Sequence, residues 1–107
     1  MEYYKLPQSD LTVSKIALGC MRVSGKSVEE VEELVKTALD LGINFFDHAD
    51  IYGGGKSEEV FGEVLKRHPE YRAKMILQTK CGIVPGKRYD FSKEHILQCV
   101  NDSLKRL

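Results

Sequence analysis

Apolar and polar positions alternate weakly at the start of the chain: Tyr3, Tyr4 and Leu6, then polar Pro7 to Asp10, then Leu11 and Val13. The alternation predicts a short hairpin over residues 1–13, folded around the polar turn. Ser14 to Cys20 (SKIALGC) is a compact apolar run that suits a buried strand. Ser27 and Glu30 then form a Ser-x-x-Glu capping box. Behind it Val28, Val31, Leu34, Val35, Ala38 and Leu39 recur at helical spacing until Gly42 stops the helix. The cycle repeats with an apolar strand over Ile43 to Asp47. Ser57 is expected to cap a helix that presents Val60, Phe61, Val64 and Leu65, closed by Lys66, Arg67, His68 and Pro69. A third strand is expected over Met75 to Lys80 (MILQTK). Beyond a loop containing Gly and Pro, Ser92 caps a helix built on Ile96, Leu97, Val100 and Leu104.

Three strand-then-helix units in succession, with strands about thirty residues apart, predict an α/β fold with a parallel sheet and right-handed crossovers. The last helix still carries an apolar stripe at Leu107. Three parallel strands leave two open edges, and a complete eight-unit barrel needs roughly 250 residues. The expectation is therefore the first part of a larger fold, with a hairpin over 1–13 and βα units over 14–107.

Composition narrows the functional classes. The 107 residues include 16 basic and 16 acidic side chains, so no general attraction to nucleic acid or an anionic membrane is expected. No run approaches the length of a membrane span, and MEYYKLPQSD lacks the regions of a signal peptide. Cys20, Cys81 and Cys99 are odd in number and widely spaced, which fits a reduced cytoplasmic chain better than a disulfide scaffold or a zinc site.

The candidate chemistry lies in FFDHADIYGGGKS, residues 45 to 57. GGGKS resembles a phosphate-binding loop, but the first glycine of that pattern is replaced by Asp50, which would aim charge at the phosphates. The glycines read instead as a flexible lead into a helix, with Lys56 solvated. Asp47 closes the second strand, Tyr52 follows in its loop and Lys80 closes the third strand. In a parallel sheet all three face one rim, where active sites are built. A strand-end lysine needs an anion, and Asp47 is the nearest. A phenol with its ordinary pKa of about 10 is a poor proton donor near neutrality, and a nearby ammonium lowers that barrier by favouring phenolate. Asp47 would thus orient Lys80, and Lys80 would tune Tyr52 to protonate a carbonyl oxygen. Taken singly, each residue has an ordinary structural role; the convergence carries the argument. His48 reads as a structural residue satisfied by hydrogen bonds.

The stretch GINFFDHADIYGGGKSEEVFGEVL, residues 42 to 65, resembles the signature of the aldo-keto reductases, with wording closest to bacterial oxidoreductases. LTVSKIALGCMRV resembles their hairpin and first barrel strand, and MILQTKCGI their third strand. The resemblance implies the N-terminal part of a (β/α)8 barrel, a hairpin plus about three βα units, and NADPH-dependent reduction of aldehydes and ketones. It implies that Asp47, Tyr52 and Lys80 are three members of a catalytic Asp-Tyr-Lys-His set. It also implies that Gly19, Cys20, Met21 and Arg22, together with Asp47, hold the nicotinamide end of the cofactor. The family histidine ends a fourth strand beyond Leu107, and the main phosphate and adenine contacts come from the last strands. A stable NADPH complex or activity is therefore not expected of this chain alone. A small carbonyl substrate is the implied partner of the intact enzyme, and open strand edges allow self-association as the non-enzymatic alternative. No metal is expected.

Overall fold

The first polar and apolar alternation folds into two antiparallel strands, β1 (Tyr3–Lys5) and β2 (Thr12–Ser14), in the computed structural model, which describes residues 1–107. Three further strands, β3 (Ala17–Gly19), β4 (Phe45–Asp47) and β5 (Ile76–Gln78), form a parallel sheet in the order β3-β4-β5. Ser14 ends the hairpin and does not open β3. Its N–H donates to Asn44 Oδ1 at 2.7 Å and its Oγ accepts from the Asn44 N–H at 3.1 Å, which latches the hairpin to the start of β4.

The sheet register aligns Gly19, Asp47 and Gln78 across the C-terminal rim. Backbone bonds continue past the strand ends: Cys20 N–H to Asp47 O, His48 N–H to Gln78 O and Asp50 N–H to Lys80 O. These bonds fix the loops that follow the strands, because a buried backbone donor left unpaired is costly.

Helix α1 (Val28–Asp40) starts at the predicted capping box, with Ser27 and Glu30 exchanging bonds at 3.1 and 3.2 Å. Gly42, at φ +86°, supplies the left-handed residue that ends it. Val31, Val35 and Ala38 of α1 share a core with Phe61, Val64 and Leu65 of α2 (Lys56–Arg67), Phe46 of β4, and Cys20 and Met75. Burying a side chain of Val or Phe size contributes about 1.5–3 kcal/mol. On the outer surface Arg67 pairs with Glu29 and Glu32 of α1.

Two expectations for the segment before α2 are corrected. Ser57 does not cap the helix: α2 begins at Lys56 without a side-chain cap, and Ser57 is buried with its Oγ unpartnered. Gly53, Gly54 and Gly55 adopt φ of 59°, 66° and 97°, a defined left-handed turn. A Cβ on Gly53 would collide with Ser24, so the turn needs glycine for both conformation and space. Lys56 is exposed, as expected.

Helix α3 (Lys93–Arg106) is capped by Ser92, whose Oγ accepts from the His95 N–H. Its buried face is Cys99 and Ser103, whereas Ile96, Leu97, Val100 and Leu104 are exposed. The loop before it contains a second small hairpin that the apolar pattern did not announce, β6 (Ile83–Val84) paired antiparallel with β7 (Arg88–Tyr89). No helix is long and apolar enough to cross a membrane.

Candidate active site

Asp47 is the last residue of β4, the central strand, and Lys80 lies two residues past the end of the neighbouring β5. Tyr52 opens the short 3-10 turn after β4, and its N–H is held by Ala49 O at 3.1 Å. The sheet brings the three together. Lys80 Nζ lies 3.0 Å from both Asp47 carboxylate oxygens, 2.7 Å from the His48 carbonyl and 3.2 Å from the Tyr52 hydroxyl oxygen. An ammonium has three N–H bonds, and these three directions use them all. Lys80 Nζ also stands 5.0 Å from the centre of the Tyr52 ring.

The electrostatics follow from this arrangement. Partial burial works against the Lys80 ammonium, but the hydrogen bonds it donates to Asp47 and Tyr52 outweigh this and hold the group above the usual lysine range. Lys80 is thus a fixed cation. Because it donates to the Tyr52 oxygen, the phenolic O–H remains free to point elsewhere. Gln78, opposite Asp47 in the register, donates to Asp47 Oδ1 at 2.5 Å and further fixes the carboxylate. Neither Gln78 nor the His48 carbonyl was read from the sequence. The strand register is the signal that would have placed Gln78.

His48 requires a correction. It is fully buried, but neither ring nitrogen has a hydrogen-bond partner. Its ring sits edge-on to Phe61 at 4.5 Å, and burial pushes its pKa down to about 4. It is held by packing rather than by hydrogen bonds. His68 contacts Glu32 and Glu70, and His95 contacts Cys99. None of the three imidazole rings bonds to Asp47, Tyr52 or Lys80; His48 reaches Lys80 only through its backbone carbonyl.

Among the residues expected near a cofactor, Gly19, Met21 and Arg22 are exposed on the rim beside Asp47. A Cβ on Gly19 would meet nothing within 4 Å, so a flat group can approach that backbone closely. Arg22 forms no ion pair. Cys20 differs: it is fully buried, its thiol is pushed up to about 12 chiefly by burial, and its N–H is spent on Asp47 O. It supports the loop from beneath. No cluster of three metal-ligating side chains is present.

Glu58 is a functional-looking residue absent from the sequence reading. It is fully buried on α2 and accepts from Thr79 Oγ1 at 2.9 Å, Ser103 Oγ at 3.2 Å and Arg106 Nε at 2.9 Å. It ties α2, α3 and the end of β5 together behind Lys80. Its spacing was informative, because Glu58, Phe61 and Leu65 fall on one helical face.

Residues 15–107 match the model of the aldo/keto reductase family. The chain is 42% identical over 113 residues to the 6-dehydroglucose reductase of Novosphingobium aromaticivorans, covering 98% of this chain and 37% of that protein. It is 34% identical over 134 residues to the versiconal hemiacetal acetate reductase of Aspergillus parasiticus, covering 100% of this chain and 39% of that protein. A solved aldo-keto reductase of Bacillus halodurans, in its holo form, superposes with a TM-score of 0.83 at 38% identity, over 100% of this chain and 36% of that one. The chain thus spans well under half the length of the relatives it matches.

Proposed function

The chain belongs to the aldo/keto reductase family, and from that premise we propose that it supplies the proton-donating part of an NADPH-dependent carbonyl reductase site. The observation that carries this reading is the Lys80 ammonium bonded at once to Asp47 and to the Tyr52 hydroxyl oxygen. A substrate carbonyl oxygen would accept the free Tyr52 O–H. As the proton leaves, negative charge grows on the phenol oxygen 3.2 Å from a fixed cation, which stabilises it. Asp47 keeps that cation charged and oriented. NADPH, when bound, supplies the hydride that converts the carbonyl to an alcohol. Gly19, Met21, Arg22 and Asp47 would hold its nicotinamide end, with the open backbone at Gly19 supporting the fit. The soluble, cytoplasmic setting expected from composition accords with a reductase of this kind.

The test is a chimera in which this chain replaces the matching segment of the Bacillus halodurans enzyme. It should consume NADPH in the presence of a carbonyl substrate, and Tyr52→Phe should slow that reaction by roughly a hundredfold or more. A Tyr52→Phe chimera working at the parent rate would sink the assignment. A second reading, that the chain alone is an inactive segment that self-associates, is favoured by the open edges of β3 and β5 and the exposed stripe of α3.

A further inference from the structure

The loop between Lys80 and α3 is more ordered than a connection requires. Val84 to Lys87 make a tight turn closed by the Lys87 N–H to Val84 O bond at 3.0 Å, with Gly86 at φ +71°. The Asp90 N–H returns to Gly82 O at 2.8 Å, and Asp90 Oδ1 accepts from the Ser92 N–H at 3.0 Å. Gly82 sits at φ +126°, and a Cβ there would collide with the Phe91 ring. The glycine therefore lets Phe91 fold against the base of the hairpin. Tyr89 and Phe91 stand side by side, rings 11° from parallel with centroids 6.4 Å apart, and are 72% and 69% exposed.

These rings line a depression of about 400 Å³ that reaches Tyr52 and Lys80, with Ile51 and Ile83 completing its apolar wall. That volume suits a small organic ligand. One end carries the phenol and the fixed cation, and the other offers aromatic faces and aliphatic side chains. Asp50 is the only carboxylate on the lining, too little polar surface to satisfy a polyhydroxylated molecule.

We propose that the β6–β7 hairpin is a specificity element that seats a flat aryl group while the carbonyl beside it faces Tyr52. The substrate class is aryl aldehydes and ketones. This rests on the reductase reading above for the word substrate, whereas the binding itself does not need the reaction. Tyr89 and Phe91 act by stacking and exclude water from the tyrosine side of the depression.

Amide chemical shifts of the full chain, titrated with acetophenone and separately with dihydroxyacetone, test the proposal. Acetophenone should move the Ile83, Tyr89 and Phe91 signals saturably, and dihydroxyacetone should not. Tyr89→Ala should raise the half-saturation point by roughly fivefold or more, while Tyr89→Phe, which keeps the ring, should preserve it. Equal responses to the two ketones, or an acetophenone response untouched by Tyr89→Ala, would overturn it. So would a Tyr89→Ala effect confined to elution on a sizing column, which would make the patch an interface. Tyr52→Phe should weaken acetophenone binding by no more than the loss of one hydrogen bond, while the Ile83, Tyr89 and Phe91 signals still respond, because its ring stays in the wall. Ring-dependent binding together with an inactive chimera therefore counts against the reductase reading alone. Ring-independent binding together with an active chimera counts against the aryl pocket alone.

Discussion

An imidazole without a hydrogen-bond partner, packed against Phe61, gives this chain a definite acid response. Burial is the main force lowering the His48 pKa to about 4; Glu58 and Asp47 oppose it and Lys80 adds to it. The unfolded chain takes up that proton near the ordinary value of 6.5, and the folded chain does not until about 4. Stability should therefore be unaffected by His48 above that window and fall as pH drops through it, by up to about 1.4 kcal/mol per pH unit. His68 has the opposite sign: led by its contact with Glu32, its pKa is raised, so its contribution is held below pH 6.5 and lost on the alkaline side. Between neutral pH and about pH 5, urea unfolding should show the parent chain losing roughly 1–2 kcal/mol more than His48→Met, since the His68 response is common to both. Equal losses in the two proteins would refute it. Asp47, Tyr52 and Lys80 were legible because strand ends in a parallel sheet share a rim, so position along the chain implied position in space. The environment of His48 was not legible. Its neighbour across the core, Phe61, is thirteen residues away on a helix whose rotation only packing determines.

Capping and termination signals placed the helices well, since Ser27, Gly42 and Ser92 act locally. Tertiary contact decided the rest. The start of α2 follows the left-handed glycine turn rather than Ser57, and the face α3 buries follows Glu58 rather than the longer apolar stripe. The α2–α3 contact is close at Gly62, where an added Cβ would run into the Arg106 carbonyl oxygen. Helix propensity alone favours Gly62→Ala by about 1 kcal/mol. Here the collision should win, because α3 must move away and loosen the Glu58–Arg106 pair at 2.8 Å. A net loss of about 1–3 kcal/mol is expected from the urea midpoint. A variant as stable as the parent would show that α3 is held only loosely.

At the scale of the whole molecule, hairpin, sheet and three helices follow the order read from the chain, and the parallel sheet is the one expected. What the chain could not display is the surface its own elements leave open. β3 and β5 each have one unpaired side, and Leu104 on α3 is 71% exposed. Exposed edges and apolar stripes recruit partners. The isolated chain is expected to elute from a sizing column at an apparent mass that rises with loading concentration, with no saturable NADPH fluorescence change. A monomer that binds NADPH saturably would exclude the inactive-segment reading. The sheet order also sets how the site would come apart. Asp47 rides on β4, paired on both sides, whereas Lys80 follows β5, paired on one side only. Backbone fraying starts at open edges and reaches central strands last. Brief local opening would thus carry the lysine away from a carboxylate that stays in place. The cluster would be disarmed and rearmed many times within the life of one folded sheet.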